Sequence, residues 1–437
     1  MVGTLLLSLL SGPAAAQDSP FQALAEHLTA RGPYRGPIVA LDGGPALATD
    51  AEQIRPARGE VVWCALERPL CVHGARQDAA RAPQVLAALG RAYDWLLLSG
   101  WPLPYSDGGA GGTLEHDVYL VAGAQRAAVA YPEQLASATP LDSASSFALL
   151  DRSLPEQALS ACALAALTEA GLLARDPAEA PQLREASAAV AVWLAEGTWG
   201  CELDAEQAQR EPRLGSLGAE PAQIAAAAQW LAWLDLRHHG GSGELVRGLW
   251  ELAAQRSDGP SKLHARPTLW EALERVLERA GETLDADAEE LAMQRALAPE
   301  ALGLGLGALT RVTLLAEGTL AKLPFAVGSR EPLASYGSAY VRIEAPAVRP
   351  DRPLRVWLRA EPDARWSLLA TRLDERGQSL GTIAAPPRKL PESFLPIELT
   401  PDTRAVLIAV TALPLQRPEE RAAFDEHHFR IIVAHPE

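Results

Sequence analysis

The chain has 437 residues, 39 basic and 55 acidic, for a formal charge of −16. So acidic a surface disfavours nucleic acid and anionic membrane as partners, and the length asks for two or three domains. Lys occurs only at 262, 322 and 389, which together with abundant Ala reflects genome composition and not function.

The start, MVGTLLLSLLSGPAAA, is an apolar run closing on Ala14-Ala15-Ala16, so residues 1–16 read as a secretory signal peptide and the protein as secreted or periplasmic. No Cys follows that could carry a lipid anchor. No later stretch reaches the ~18 apolar residues of a membrane span, the run from Ala301 being broken at Arg311, so no membrane insertion is expected. Phe21 to Asp50 reads as a short helix and a Gly/Pro-rich arm. Glu60–Cys64 and Cys71–Gly74 read as two short strands. Ala82–Leu98 is an amphipathic helix with Val85, Leu86, Leu89, Tyr93 and Leu97 at helical spacing. The Gly/Pro loop WPLPYSDGGAGG follows, then strands at Leu114–Val121 and Ser145–Leu150. A helix from Leu154 to Ala174 is apolar on nearly every face and so buried, with Ser153 and Glu156 in capping-box spacing. A second helix covers Pro181–Glu196. Four more fit Pro221–Arg237, Gly243–Gln255, Pro267–Arg279 and Leu284–Leu297.

Near Pro299 the character changes. Residues 301–324 read as linker, with a strand or two by Ala334. Six strands follow, at Ala339–Glu344, Leu354–Arg359, Trp366–Leu373, Ser393–Leu399, Ala405–Leu413 and Phe429–Ala434. Alternating strands without intervening helices predict a β-sandwich over 325–437. The fold class expected is α+β: a mainly helical domain over 21–300 followed by the C-terminal sandwich.

Four cysteines, an even count in an exported chain, argue for two disulfides. Of three connectivities, Cys64–Cys71 with Cys162–Cys201 is favoured, the first closing a hairpin and the second pinning the buried helix to the loop after the next helix. A thiolate metal site would need further ligands at these spacings.

The order of strand, helix, strand, edge strand, buried helix, second helix and helical subdomain resembles gluzincin-type zinc metalloproteases. More narrowly, CVHGARQDAARAPQVLAALGRAYDWL, EHDVYLV, AVAVWLAEGTWG and GSAYVRIEA resemble a family of secreted metalloproteases common in myxobacteria. The resemblance implies His-Glu-x-x-His on the buried helix and a Glu shortly before a Trp on the second. Zinc hydrolysis needs two His a turn apart, a Glu base between them and a third ligand. This chain instead offers Cys162-Ala163-Leu164-Ala165-Ala166 and, with Trp193 matched to the family Trp, Ala188. Glu185 and Glu196 nearby read as helix-surface carboxylates. No catalytic residue, metal ligand or cofactor is therefore assigned.

Other chemistry is sparse. The nine His contain no His-x-x-x-His pair; His238-His239 close a helix, and His427-His428 start a strand, where neighbours face opposite ways. Glu115-His116-Asp117 puts two carboxylates on one strand face and the His on the other. Solvated strand charges, a glycosidase pair and a His73/His116 metal site are the alternatives there. Gly303-Leu-Gly-Leu-Gly lacks a following helix, and Asp285-Ala-Asp287-Ala-Glu289 lacks the Gly and final Glu of a calcium loop. Trp193, Trp199, Trp230, Trp233, Trp250 and Trp270 fall on helices or their ends and read as core, with a groove beside Trp199 as the alternative. Trp101 and Tyr105 in the Gly/Pro loop are the better candidates for exposed, ligand-binding aromatics. The leading expectation is a non-catalytic binding or scaffold protein of the periplasm, envelope or medium, its former substrate cleft holding an unknown protein, peptide or glycan. A hydrolase with relocated groups (Glu115, Asp117 or a distant His), or an adhesion or glycan-binding protein acting through the sandwich, are the alternatives.

Overall fold

The computed structural model describes residues 55–56, 60–106, 108–124, 126–135, 143–254, 267–297, 311–345, 353–388, 392–415 and 426–435. The signal peptide, the arm to Asp50 and the Gly303–Gly307 run lie outside the described residues.

The first unit is built on a five-stranded sheet. Strands β1 (Val61–Cys64), β2 (Leu70–Gly74), β3 (His116–Val121), β4 (Ala128–Leu135) and β5 (Ala144–Asp151) lie in the order β1-β2-β3-β5-β4. The inner pairs β2-β3 and β3-β5 are parallel, and the edges β1 and β4 are antiparallel. Helix α1 (Ala82–Leu98) makes the crossover from β2 to β3. Helix α2 (Glu156–Leu173) follows β5 and packs with α1 under one face of the sheet, against Leu70, Val72, Val118, Leu120, Ala148 and Leu150. Helices α3 (Pro181–Glu196), α4 (Gln207–Arg210), α5 (Pro221–His239), α6 (Glu244–Ala253), α7 (Leu269–Ala280) and α8 (Leu284–Leu297) complete the layer. Asp235 of α5 ties it together by accepting the Gly243 and Leu245 N–H groups at 2.7 and 2.9 Å, so one buried carboxylate caps the start of α6.

The expectation of a mainly helical N-terminal domain is therefore corrected: a sheet organises it. The reason is physical. Four of its strands were legible as short isolated segments, but the parallel pairing of β2, β3 and β5 that joins them into one sheet is non-local and leaves no local pattern. Strand β4 was missed, and the segment read as an edge strand, Ser145–Leu150, is interior; β4 forms the edge.

The C-terminal half pairs two sheets. Strands β6 (Ala316–Thr319), β8 (Ser338–Glu344), β10 (Arg365–Leu373), β11 (Ser379–Arg388) and β13 (Ala405–Leu413) form one, in the order β11-β10-β13-β8-β6. Strands β7 (Phe325–Gly328), β9 (Leu354–Ala360), β12 (Glu392–Ile397) and β14 (Phe429–Ala434) form the other, in the order β12-β9-β14-β7. Their inner faces share a core that includes Val341, Val356, Trp366, Ile408, Ile397 and Ile431. Strand β6 lies within 301–324, the stretch read as linker, and pairs in parallel with β8.

Helix α8 covers the outer face of the five-stranded sheet. Met293 meets Tyr340, Leu369 and Leu407, Tyr340 donates to the Ala292 carbonyl at 2.8 Å, and Arg365 reaches the Asp285 carboxylate at 3.0 Å. Tyr336 packs edge-on against Trp230 at 5.1 Å.

Both disulfides join the favoured pairs. Cys64 and Cys71 are register partners on β1 and β2, and Cys162 of α2 joins Cys201 beyond α3. Two disulfides are the pattern of chains that fold in an oxidising compartment. Among the described residues, no helix is long and apolar enough to cross a membrane.

Two glycines provide a test. A methyl group on Gly171 of α2 would lie 2.0 Å from the Pro102 carbonyl oxygen, whereas one on Gly248 of α6 meets nothing within 4 Å. Gly171→Ala is expected to lower unfolding stability by about 3 kcal/mol by overpacking, and Gly248→Ala to be neutral or raise it by up to about 1 kcal/mol. Denaturant titration of the two variants checks this.

Candidate functional site

Three groups of polar side chains stand out against this framework. The first lies on the face of the N-terminal sheet away from the helices. β2 and β3 are parallel and in register, so His73 stands opposite Tyr119, and the rings stack with centroids 4.5 Å apart. His73 Nε2 lies 2.8 Å from Asp117 Oδ1, the same oxygen accepts Thr113 Oγ1–H at 2.8 Å, and Arg55 Nη1 lies 3.4 Å from Oδ2. Arg55 also pairs with Glu133 and donates to Tyr119 Oη at 3.0 Å. Asp117 is fully buried, and the loop closes on it so tightly that a methyl on Gly111 would fall 1.4 Å from its carboxylate oxygen. A carboxylate engaged this way holds a loop and an arm onto a sheet; it is not free to act as a base.

Asp117 and His116 point to opposite faces of β3, as the alternation requires, so His73 and His116 do not meet on one ion. His116 faces the helix side. Burial pushes its pKa down to about 4, against the opposing pull of Asp117, so the ring is neutral at pH 7.

The second group is centred on α2, about one turn beyond the Cys162–Ala166 stretch to which the resemblance assigns metal ligands. Glu169 of α2 is buried. It accepts Arg126 Nη2–H at 2.9 Å and the Ala130 N–H of edge strand β4 at 3.2 Å. Arg126 also lies 3.3 Å from Glu185 of α3, so Glu185 is a partly buried member of this cluster and not a plain surface carboxylate; burial raises its pKa. Glu196 is exposed. Cys162 is consumed in its disulfide, and Ala163, Ala166 and Ala188 are buried. Ala128, Ala130 and Pro132 of β4 pair with Leu150, Ala148 and Ser146, and Ala127, the residue just before the strand, accepts the Asp151 N–H. Ala128, Ala130 and Pro132 therefore present their backbone nitrogens outward. At that edge Pro132 has no N–H and Ala130 gives its own to Glu169, so two of three positions are closed to an added strand.

The third group was missed by sequence reasoning. On the outer face of the β12-β9-β14-β7 sheet, Trp357 is flanked in register by Phe394 and Ile432, and Arg359 by Glu392 and Arg430. The Trp357 and Phe394 ring centroids are 5.8 Å apart, and the Arg355 guanidinium lies 5.6 Å over the Phe394 ring. Phe394 is 42% exposed, and Arg355, Arg359 and Arg430 are exposed. The signal was present as outward-facing aromatic and Arg residues in alternation with Val356, Leu358 and Leu395. A cleft of about 970 Å³ between α8 and the neighbouring sheet carries both signs, Glu289 and Glu290 facing Arg311, Arg342 and Arg376.

The predicted aromatic site does not assemble. Trp101 is 3% exposed, set in the helical core beside Trp95, which corrects its reading as an exposed loop aromatic: the loop folds back under α1. Tyr105 is half-buried. Trp199 is half-buried and stacked on Trp193 at 5.9 Å.

No family model matches the chain, and no curated protein sequence matches it. Among solved structures it is similar to the pre-peptidase C-terminal domain of a collagenase from Bacillus anthracis, at 6% identity over 28% of this chain and 96% of that one, TM-score 0.19. It is similar to CorA, a surface-associated copper-binding protein of Methylomicrobium album BG8, at 10% identity over 29% and 100%, TM-score 0.21. The enzymatically active domain of bacteriophage CBA120 tailspike protein 4 follows at 10% over 26% and 18%, TM-score 0.19. Likeness at this level assigns no activity.

His116 makes stability pH-dependent. Its folded pKa of about 4 lies below its ordinary 6.5, so the unfolded chain binds the proton first as pH falls. Its contribution is whole above pH 6.5 and is lost on acidification toward pH 4, about 3 kcal/mol in all. His116→Asn is expected to flatten that slope, read from urea unfolding at pH 7 and pH 4.5.

Proposed function

We propose that this chain is an exported, non-catalytic binding protein, without the metal ligands that its sequence resemblance to gluzincin-type proteases implies. It binds acidic polysaccharide through the outer face of its C-terminal sandwich. The observation that carries this reading is the Trp357–Phe394 pair bordered by Arg355, Arg359 and Arg430. Aromatic rings laid along a flat sheet match the apolar C–H face of a sugar ring, and guanidinium groups beside them match its carboxylates or sulfates, in pairs if the geometry is planar. With Glu392 included, three cations against one anion leave a local charge of +2 on a chain of −16, so the face is electrostatically distinct from the rest.

The absence of catalysis is supported by the Arg126–Glu169 pair. The pair lies beside edge strand β4 and takes the Ala130 N–H, an edge donor that an extended peptide would use. Export is supported by the apolar start and the two disulfides.

Affinity electrophoresis in gels containing a polyuronate or a neutral glucan tests the binding. Retardation is expected in the polyuronate gel and is expected to fall at least about tenfold in affinity for the Trp357→Ala/Phe394→Ala double variant, as for two hot-spot aromatics. Equal retardation of wild type and variant, or none, overturns it. Chelator-sensitive cleavage of quenched peptides by homogeneous protein overturns the non-catalytic reading.

A further inference from the structure

At one end of the sandwich, the turn between β9 and β10 meets the start of β14. Glu361 and Asp363 come from the turn and His427 from the incoming chain. One ligand atom from each lies within 4.8 Å of the other two. His427 is 2% exposed and its imidazole Nδ1 lies 3.1 Å from Asp363 Oδ1, yet neither ring nitrogen makes a hydrogen bond. A buried imidazole whose Nδ1 meets only the Asp363 carboxylate, out of hydrogen-bond alignment, and whose Nε2 has no partner is costly unless something engages it.

The surroundings hold the three groups in place. The backbone of His427 exchanges two hydrogen bonds with Leu333, each 2.9 Å, and its ring meets Trp366 edge-on at 6.1 Å. Glu361 accepts the His428 N–H on Oε2 at 2.7 Å and the Trp366 indole N–H on its carbonyl at 2.9 Å. Its carboxylate keeps further lone pairs. Asp363 is exposed and open to solvent. Two ligands about 2.1 Å from a tetrahedral zinc are about 3.4 Å apart, close to the His427–Asp363 separation.

We infer that Glu361, Asp363 and His427 form a binding site for a divalent cation of the zinc class, with the remaining position open to water. One imidazole with two carboxylates suits zinc and its borderline neighbours, whereas calcium sites are built from oxygen ligands alone. His428 does not join: its Nδ1 faces Ser329 Oγ at 3.2 Å. The other close cluster, Cys64, Cys71 and Glu115, has its sulfurs tied in a disulfide and offers no thiolate.

The test is equilibrium dialysis of the full-length, tag-free protein against Zn²⁺, with the bound metal counted by mass spectrometry. One zinc per chain is expected, reversible by chelator. Asp363→Asn, at an exposed position that leaves folding intact, is expected to weaken binding about tenfold or more, Glu361→Gln similarly, and His427→Gln to abolish it. Near-UV circular dichroism identifies any variant that fails to fold, and the Asp363 variant carries the test if the His427 variant does. Absence of zinc binding overturns the site, as does zinc bound equally well by wild type and by Asp363→Asn and Glu361→Gln. Cobalt substitution gives a second readout: a d–d absorption band in wild type that is lost in Asp363→Asn.

Discussion

The all-round burial of α2 is the constraint on which the N-terminal half depends. A helix that is apolar on every side has to be enclosed, and this one is enclosed by the sheet, α1 and α3. Small residues make that possible. Ala161, Ala163, Ala166 and Ala170 let the neighbouring layers approach, and at Gly171 the loop carrying Pro102 passes so close that a methyl group has no room. The Cys162–Cys201 bridge fastens the same helix to the loop beyond α3, so the helix, its sheet and its neighbour behave as one packed body.

That packing also decides the chemistry. After Glu156 the helix carries one charged residue, Glu169, and Arg126 and the Ala130 N–H are both committed to it. Removing Arg126 would leave a buried, uncompensated carboxylate, so the pair is maintained by the cost of breaking it and needs no ligand to explain it. The same holds on the far face of the sheet, where His73, Thr113 and Arg55 all converge on Asp117. In both clusters the buried carboxylate is held by partners from the chain itself. They differ from His427, whose buried Nδ1 meets only the Asp363 carboxylate and whose Nε2 has no hydrogen bond, and from the Arg side chains and Phe394 exposed beside Trp357.

Much of this was legible in the sequence where a single physical signal dominated. Buried α2, the helical spacing of α1, both cysteine pairs and the alternating strands of the sandwich were read from period and composition. The failures have causes. Strand β4 contains Pro132 and has no clean alternation, because it lies at an edge. The capping box expected at Ser153 and Glu156 does not form: Asp151 takes the Ser153 N–H at 2.6 Å, and α2 begins after Pro155. The same motif does form at Thr268 and Glu271. Trp101 was misplaced because a Gly/Pro-rich loop reads as exposed, whereas this one tucks its Trp under a helix. The His427 cluster joins residues 64 positions apart, a proximity that only the turn between β9 and β10 creates.

The two outer faces of the sandwich explain where a binding surface is available. Helix α8 lies across one of them, and Met293 and Tyr340 close that contact with apolar area and a hydrogen bond to the helix backbone. Helix α8 and the Arg365–Asp285 pair hold the N-terminal half against that face and leave Phe394, Arg355, Arg359 and Arg430 of the opposite sheet exposed. An exposed sheet face is ordinarily kept polar. This one alternates Arg355, Trp357 and Arg359 along its second strand, next to Phe394 on the first. The half-buried Trp357 and the exposed Phe394 lie outside the core beneath, which Val356, Leu358 and Leu395 fill from the other face. The aromatic pair with its neighbouring guanidinium group is the feature of this face on which the proposed binding rests.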